Sequence, residues 1–327
     1  MINSKVHIEW ARILNYAPVL LLITLITVFV AVDDRIITIT NLMQVLVQSA
    51  PIAILAIGAM VVLVSGGIDL SVGYGVGLCA VITGIVFANG GTLFEATFWT
   101  VLTGVLIGFI NGFFVGVLKI PPFIVTLGSM TVIQGITLLI AMGEVLIISN
   151  PSLKAIGIGF TGPVPNLLLA TAVLLLIATV IIKQTVFGLR TYALGSNEEA
   201  TRFSGVPLAR QQILIYIFSG ICTAFTAMLL VSRVSIVSPN IGGINLMLDA
   251  ITATVIGGTS IFGGKGTITG TLVGSVIISL ISHALTIFGI SASSLDFFKG
   301  AIIIFALTID SAIRAAQKRL GSKKDSV

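Results

Sequence analysis

The chain has 327 residues, of which 56% are hydrophobic and only 9% are charged. Soluble domains carry about 25% charged residues, so this composition excludes an ordinary water-soluble protein. The mean hydropathy of +1.16 and the 35 glycines instead indicate a polytopic membrane protein whose helices pack closely through small residues.

Apolar runs along the chain predict the transmembrane helices, since a helix that crosses the hydrocarbon core needs about 20 apolar residues. Two weaker runs are interrupted by glycine and a carboxylate, and we predict these as spans too. The prediction is an all-α membrane protein: one transmembrane domain over residues 1–327, a polytopic bundle of about ten helices. The strong runs are 14–32, 43–65, 97–118, 123–142, 167–182, 213–231, 267–289 and 297–313, and the weaker ones are 74–88 and 246–262.

The basic residues predict the orientation of the chain, because cytoplasmic loops carry an excess of lysine and arginine. With ten spans and both termini in the cytoplasm, thirteen basic residues lie inside and four outside. The net charge of +5 is explained by this location and does not indicate nucleic-acid binding. The four outer residues are Arg35, Lys154, Arg233 and Lys299; the inner ones are Lys5, Arg12, Lys119, Lys183, Arg190, Arg202, Arg210, Lys265, Arg314, Lys318, Arg319, Lys323 and Lys324.

Two glycine-rich stretches resemble each other at an offset of 191 residues. "GGIDLSVGYG" begins at Gly66 and "GGTSIFGGKG" begins at Gly257, and glycines coincide at four places. Duplicated halves are common in transporters, although chance coincidence is the alternative in a chain so rich in glycine. Each stretch lies between two apolar runs, so each predicts a broken connection between helices and not a continuous helix.

The second of these stretches does not form a phosphate-binding loop. The nucleotide pattern G-x-x-x-x-G-K-[ST] needs a glycine where the chain has Thr259 and a serine or threonine where it has Gly266. Membrane spans, not a strand and a helix, also flank it. We therefore expect no ATP site and no bound cofactor in this chain; if ATP drives the protein, another subunit hydrolyses it.

Polar residues in the glycine-rich stretches are candidates for a translocation path. A carboxylate at membrane depth costs about 2.5–3.5 kcal/mol on insertion scales, so Asp69 is expected to face a cavity or a partner. The alternative is structural: Asp69 caps the helix that begins near Leu70. The residues assigned to a path or a helix break are Gly66, Gly67, Asp69, Ser71, Gly257, Gly258 and Ser260.

A polar segment interrupts the apolar chain at "YALGSNEEATRFSGVPLARQQ", residues 192–212. Ser196 or Asn197 followed by two glutamates predicts the start of a helix, and Gly205 with Pro207 predicts its end. Helices that anchor proteins to lipid are rich in basic residues on their polar face, whereas this one begins with acids. The pattern therefore favours a helix that binds a protein groove.

At these residues the sequence resembles the permease subunits of ribose-type ABC importers of bacteria. The motifs that match are "GGIDLSVG" (66–73), "LKIPPFIVTLGSM" (118–130), "ALGSNEEATRFSGV" (193–206), "LDAITATVIGGTSIFGGKGTITGTLVG" (248–274) and the basic tail, in the family's order. Two stretches depart from the family pattern: residues 195–197, and "SHALTIFG" at 282–289, which bears on helix packing or on solute choice.

The resemblance implies a multi-pass permease of the bacterial inner membrane that passes a monosaccharide or a related solute into the cell. Its implied partners are an ABC ATPase, often one tandem polypeptide, a second permease that is either the same chain or a sister subunit, and an external sugar-binding protein. ATP and magnesium would be bound by the ATPase. Carried over to this chain, the helix that couples the permease to the ATPase comprises Glu198, Glu199, Ala200, Arg202, Phe203 and Gly205.

Two other functions are alternatives. An ion-coupled secondary transporter would use Asp69, Asp249 or Asp310, but it leaves the charged loop without a role. An intramembrane enzyme would need a catalytic pair, and neither His7 nor His283 forms one with a nucleophile in the sequence. Scattered serine, threonine and asparagine residues in apolar spans fit any small hydroxylated solute, so the sequence does not name it.

Overall fold

The computed structural model describes residues 17–291 and the single positions 294, 296–298, 300, 301, 304 and 308. These residues form a helical bundle with two very short antiparallel strand pairs. The helices are α1 (Ala17–Val32), α2 (Ile39–Val64), α3 (Val72–Ala88), α4 (Leu93–Gly116), α5 (Pro122–Ala141), α6 (Pro151–Gly157), α7 (Asn166–Gln184), α8 (Val186–Ser196), α9 (Glu198–Phe203), α10 (Leu208–Val234), α11 (Gly243–Ile256) and α12 (Ile268–Ile287), with a 3-10 turn at Asp34–Ile37. The strands are β1 (Leu146–Ile147), β2 (Phe160–Thr161), β3 (Val164–Pro165) and β4 (Ile236–Val237).

Helices occupy nine of the ten predicted spans, and the tenth, 297–313, lies outside the described residues apart from six helical positions. Within the described part of the chain, six helices are long and apolar enough to cross a membrane, while α1, α3 and α11 are shorter apolar helices. The predicted span 246–262 extends six residues past the end of the observed helix, α11. Its helix ends at Ile256 because Gly258 adopts a left-handed conformation, with φ +90°.

Connections between the helices gather alternately at two ends of the bundle. At one end β1 pairs with β4, Leu146 opposite Val237, and His283 Nε2 lies 3.1 Å from Asn41 Oδ1. At the other end the Gly264 amide donates to the Val64 carbonyl over 2.8 Å, beside α8 and α9. We call these the β1 end and the α9 end. The predicted inner and outer connections separate between them.

Helices α4 and α10 touch through a row of glycines. Gly104, Gly108, Gly112 and Gly116 recur every fourth residue on one face of α4. A Cβ atom at Gly104 would lie 2.2 Å from the Gly220 carbonyl oxygen, so the two backbones are in direct contact. Small residues at this spacing allow membrane helices to approach closely where side chains would hold them apart.

The centre of the bundle is formed by α2, which packs against α10, α11 and α12. Leu55, Met60 and Val62 in this helix are fully buried. Both cysteines, Cys79 and Cys222, are buried and free, as expected for small apolar side chains.

The start of α4 carries a reciprocal cap. The Thr92 hydroxyl accepts from the Glu95 amide, and the Glu95 carboxylate accepts from the Thr92 amide over 2.7 Å. Replacing Thr92 with alanine should therefore lower the free energy of unfolding by about 1 kcal/mol. Thermal unfolding in detergent measures this, and Thr97→Ala is the control because its hydroxyl only bonds the Leu93 carbonyl within the helix. An equal effect of both changes would contradict the capping role.

Candidate functional site

The polar segment contains the predicted short helix, α9, between two longer helices. Residues 192–196 complete α8, and residues 208–212 begin α10. Helix α9 is capped by Asn197, whose side-chain oxygen accepts from the Ala200 amide over 2.9 Å. Gly205, with φ +78°, ends the segment as predicted. Of the two predicted caps, Asn197 is the one used.

Most side chains of helix α9 are exposed on the surface of the bundle. Thr201 alone is buried, and Phe203 is 84% exposed. Glu198 and Arg202 form an ion pair of 3.3 Å across one turn, and both side chains are well exposed. Such a pair adds little stability. The exposed surface of α9 therefore combines an aromatic ring, two acids and one base.

The residues just before α9, which we call its root (Gly195 and Ser196), contact the end of α2 through glycines. The C-terminal end of α8 lies so close to α2 that a Cβ atom at Gly195 would be 1.7 Å from the Val64 carbonyl oxygen. The same oxygen accepts from the Gly264 amide over 2.8 Å. Three segments far apart in sequence thus meet at Val64, and we call these three residues, Val64, Gly195 and Gly264, the glycine junction.

Two side chains hold α8 in addition. Gln211 of α10 donates to the Phe187 carbonyl and to the Thr191 hydroxyl, over 3.0 and 2.9 Å. The Tyr192 hydroxyl donates to the Gly266 carbonyl over 2.8 Å. Burial raises the pKa of Tyr192, so its hydroxyl stays a neutral donor at physiological pH. Helix α8 is therefore a fixed base from which α9 projects.

Asp69 is buried in the connection between α2 and α3, where it joins three segments. Its carboxylate accepts from the Ser71 amide and hydroxyl, over 3.0 and 2.6 Å, and from the Ser219 hydroxyl of α10 over 3.0 Å. The Ser71 hydroxyl in turn accepts from Asn111 of α4 over 2.8 Å. The predicted cap is not formed: α3 begins at Val72 with Ser71 as its N-cap residue, and Asp69 accepts from the Ser71 amide in the turn before the helix. It also ties that turn to α10.

Two of the glycines predicted for a path or a helix break directly follow the ends of helices. Gly66, with φ +85°, and Gly258 occupy matching positions after α2 and α11, where the Gly67 amide donates to Val62 and the Thr259 amide to Thr254. These matching positions are 192 residues apart, one more than the predicted offset, and the duplication stays a prediction. Two more glycines allow close approach: a Cβ atom would lie 2.9 Å from the Tyr216 hydroxyl at Gly67, and 2.5 Å from Gly270 backbone at Gly257.

Ser260 lies apart from Asp69, in the loop between α11 and α12. Its amide donates to the Lys265 carbonyl over 2.9 Å, and its hydroxyl accepts from the Phe262 amide over 3.2 Å. The structure brings this loop to the base of α9 through the glycine junction. Ser260 therefore shapes the α9 end of the bundle.

A cleft of about 570 Å³ connects α9 with the turn that follows α2. Glu198 and Arg202 line one side, and Gly66 and Gly67 line another. Gln212 also contributes, and its side-chain oxygen is buried without a hydrogen-bond partner among the described residues. Two of the candidate coupling residues, Glu198 and Arg202, thus border the same cleft as the start of the connection that contains Asp69. In the described part of the chain no group of three or more His, Cys, Asp and Glu residues could hold a metal ion.

Sequence reasoning missed several residues of this region. Asn111 and Ser219 are polar side chains inside apolar spans, which was a signal that they have partners there. The four-residue spacing of glycines in α4 was also visible in the sequence, and it predicts close packing against another helix. No local signal pointed to Gly195. Of the remaining predicted ion sites, Asp249 is half-buried in α11, and Asp310 with Arg314 lies outside the described residues.

Comparison with known proteins gives a consistent result. Residues 41–307 match the family described as "Branched-chain amino acid transport system / permease component". The chain is 33% identical to a ribose import permease of Haemophilus influenzae over 93% of both chains, and 35% identical to one of Bacillus subtilis over 83% of this chain and 84% of the relative. It is 32% identical to an autoinducer 2 import permease of Salmonella typhi, over 93% and 87%. No solved structure matches the chain.

Proposed function

Because this chain belongs to the permease family of ABC importers whose members include ribose import permeases, we propose that it carries a monosaccharide or related small hydroxylated solute, driven by ATP hydrolysis on a separate subunit. The chain is a transporter subunit of the inner membrane and not an enzyme. The names of its relatives, ribose import permease and autoinducer 2 import permease, support a small solute of this kind. The observation that carries the mechanism is the exposed helix α9 on its fixed base.

The proposed role of α9 is to transmit movement of the ATPase to the bundle. A partner changes a two-state protein only through contacts that differ between the states. The exposed side chains of α9 supply such contacts, and the glycine junction connects its root to α2. Beyond α2 lies the turn that holds Asp69. A displacement of α9 would therefore be transmitted to the connection between α2 and α3, where we place the solute path.

The α9 end faces the cytoplasm in this proposal. Among the described residues six basic side chains lie at that end and three at the β1 end, which agrees with the excess expected for cytoplasmic loops. All ten predicted spans then cross the membrane, residues 1–327 form one permease domain, and both termini lie inside. The basic residues at the α9 end are Lys119, Lys183, Arg190, Arg202, Arg210 and Lys265; those at the β1 end are Arg35, Lys154 and Arg233.

Charge reversal in α9 tests the coupling role. Glu199→Lys combined with Arg202→Glu should reduce ATP-driven transport by about tenfold or more, since both charges lie on the surface offered to the ATPase. Membrane insertion should survive, because the number of lysine and arginine residues in the loop is unchanged. Transport into proteoliposomes and co-purification of the ATPase measure the effect.

The control is Glu144→Lys, an exposed acid at the β1 end, which should leave co-purification unchanged. Full ATP-driven transport after deletion of residues 197–205 would sink the coupling proposal. So would uphill transport by the purified chain alone, since no ATPase would then be needed.

The partners proposed are a tandem ABC ATPase, a second permease copy and an external binding protein. No cofactor is proposed for this chain, because ATP and magnesium would be held by the ATPase. The binding protein is expected to set the choice of solute. Calorimetric titration of that protein with ribose, xylose, arabinose and galactose would name the solute.

A further inference from the structure

The loop between α11 and α12 presents the most exposed large apolar side chain at the α9 end. Phe262 is 94% exposed and its neighbour Ile261 is 48% exposed. An exposed apolar pair on a connecting loop marks a surface that can contact a partner or lipid. Neither belongs to a membrane-spanning helix.

This loop, residues 260–266, is rigid. The Ser260 amide donates to the Lys265 carbonyl, and the Ser260 hydroxyl accepts from the Phe262 amide. Gly263 and Gly264 adopt φ values of +89° and +72°, which only glycine adopts at little cost. The backbone therefore holds Phe262 in place before any partner arrives, and preorganisation of this kind lowers the entropic cost of binding.

The tip of the loop lies beside the root of α9. A Cβ atom at Gly263 would be 2.7 Å from the Gly195 carbonyl oxygen, and one at Gly264 would be 2.8 Å from the Ser196 hydroxyl. Phe262 directly precedes Gly263, and α9 begins three residues after Gly195. Phe262 and α9 thus leave the bundle at the same place.

We propose that Phe262, at the tip of the 260–266 loop, is a second contact with the ATPase subunit, continuous with the surface of α9. The inference rests on the proposed function. Aromatic side chains that are exposed and rigidly held are the usual energetic centres of protein interfaces. An anionic lipid surface is the less suitable occupant, because the loop approaches Ser196 and α9, which begins two residues later, carries Glu198 and Glu199 in its first turn.

Cysteine labelling tests the proposal, because Cys79 and Cys222 are both buried and leave the background low. Phe262→Cys is placed in the full chain, in nanodiscs, with and without the cognate ATPase. Phe160→Cys is the control, since Phe160 is 65% exposed at the β1 end. Phe203→Cys reports separately on α9. A water-soluble maleimide is the probe.

We expect the ATPase to slow labelling at position 262 by about tenfold or more, as in the water-excluding centre of an interface, and to leave position 160 unchanged. Protection at 203 without protection at 262 would overturn this inference and leave the role of α9 intact. A position 262 that is protected by the bilayer before the ATPase is added would also overturn it, in favour of lipid contact. Protection at neither position, with the ATPase bound, would reject α9 coupling as well.

Affinity provides a second measurement that does not depend on labelling. Phe262→Ala should weaken binding of the ATPase to the permease in nanodiscs by about tenfold or more, whereas Phe160→Ala should not change it. The thermal unfolding of the permease alone should be the same for both variants, because neither side chain is packed. Unchanged affinity for Phe262→Ala would contradict the proposal.

Discussion

Gly195→Ala should reduce ATP-driven transport by at least about tenfold, although the ATPase still binds. The added methyl group would lie 1.7 Å from the Val64 carbonyl oxygen, which is backbone and has no flexible end to move away. The end of α8 must then leave α2, and the Gly264–Val64 hydrogen bond is strained with it. Overpacking of this kind typically costs about 1–3 kcal/mol.

The measurement separates binding from transmission. Co-purification of the ATPase should persist, because the exposed side chains of α9 are unchanged, while solute uptake into proteoliposomes falls. Gly128→Ala in α5 is the matched control, since a Cβ atom there meets nothing within 4 Å. Wild-type uptake by Gly195→Ala would show that the glycine junction does not carry the movement.

Asp69→Ala should destabilise the permease by about 2–4 kcal/mol, because it removes a buried acceptor of hydrogen bonds. The Ser71 amide, the Ser71 hydroxyl and the Ser219 hydroxyl would all lose their partner. Thermal unfolding in detergent measures the loss. Asp33→Ala is the matched control: Asp33 also accepts from the amide two residues on, but its ion-pair partner Arg35 is exposed, so its loss should cost only about 1 kcal/mol.

Asp69→Asn then distinguishes the two transport mechanisms. Its amide oxygen can still accept from Ser71, and the Ser219 hydroxyl can turn to accept from the amide nitrogen. ATP-driven transport should therefore persist in the presence of the ATPase and the binding protein. An ion-coupled transporter that used this carboxylate would lose its coupling, so loss of transport in a stably folded Asp69→Asn protein would favour that mechanism.

The sequence by itself determined the class of the protein and the approximate positions of nine apolar helices. These follow from local rules: each span must satisfy its backbone inside one helix, and each must be apolar for about 20 residues. Helix α9 was predictable for the same reason. Asn197, the two acids and Gly205 are start and stop signals within ten residues of each other.

Only the tertiary structure decided how the segments act on one another. Val64, Gly195 and Gly264 meet in space, and a glycine in a sequence shows that some backbone is near without showing which one. The Ser219 hydroxyl, 150 residues further along the chain, donates to Asp69. The sequence does not show this contact, so from the sequence a structural role for Asp69 was only one of two alternatives. Phe262 looked like part of a span and is instead the exposed tip of a loop, because Gly257 and Gly258 end α11 before it.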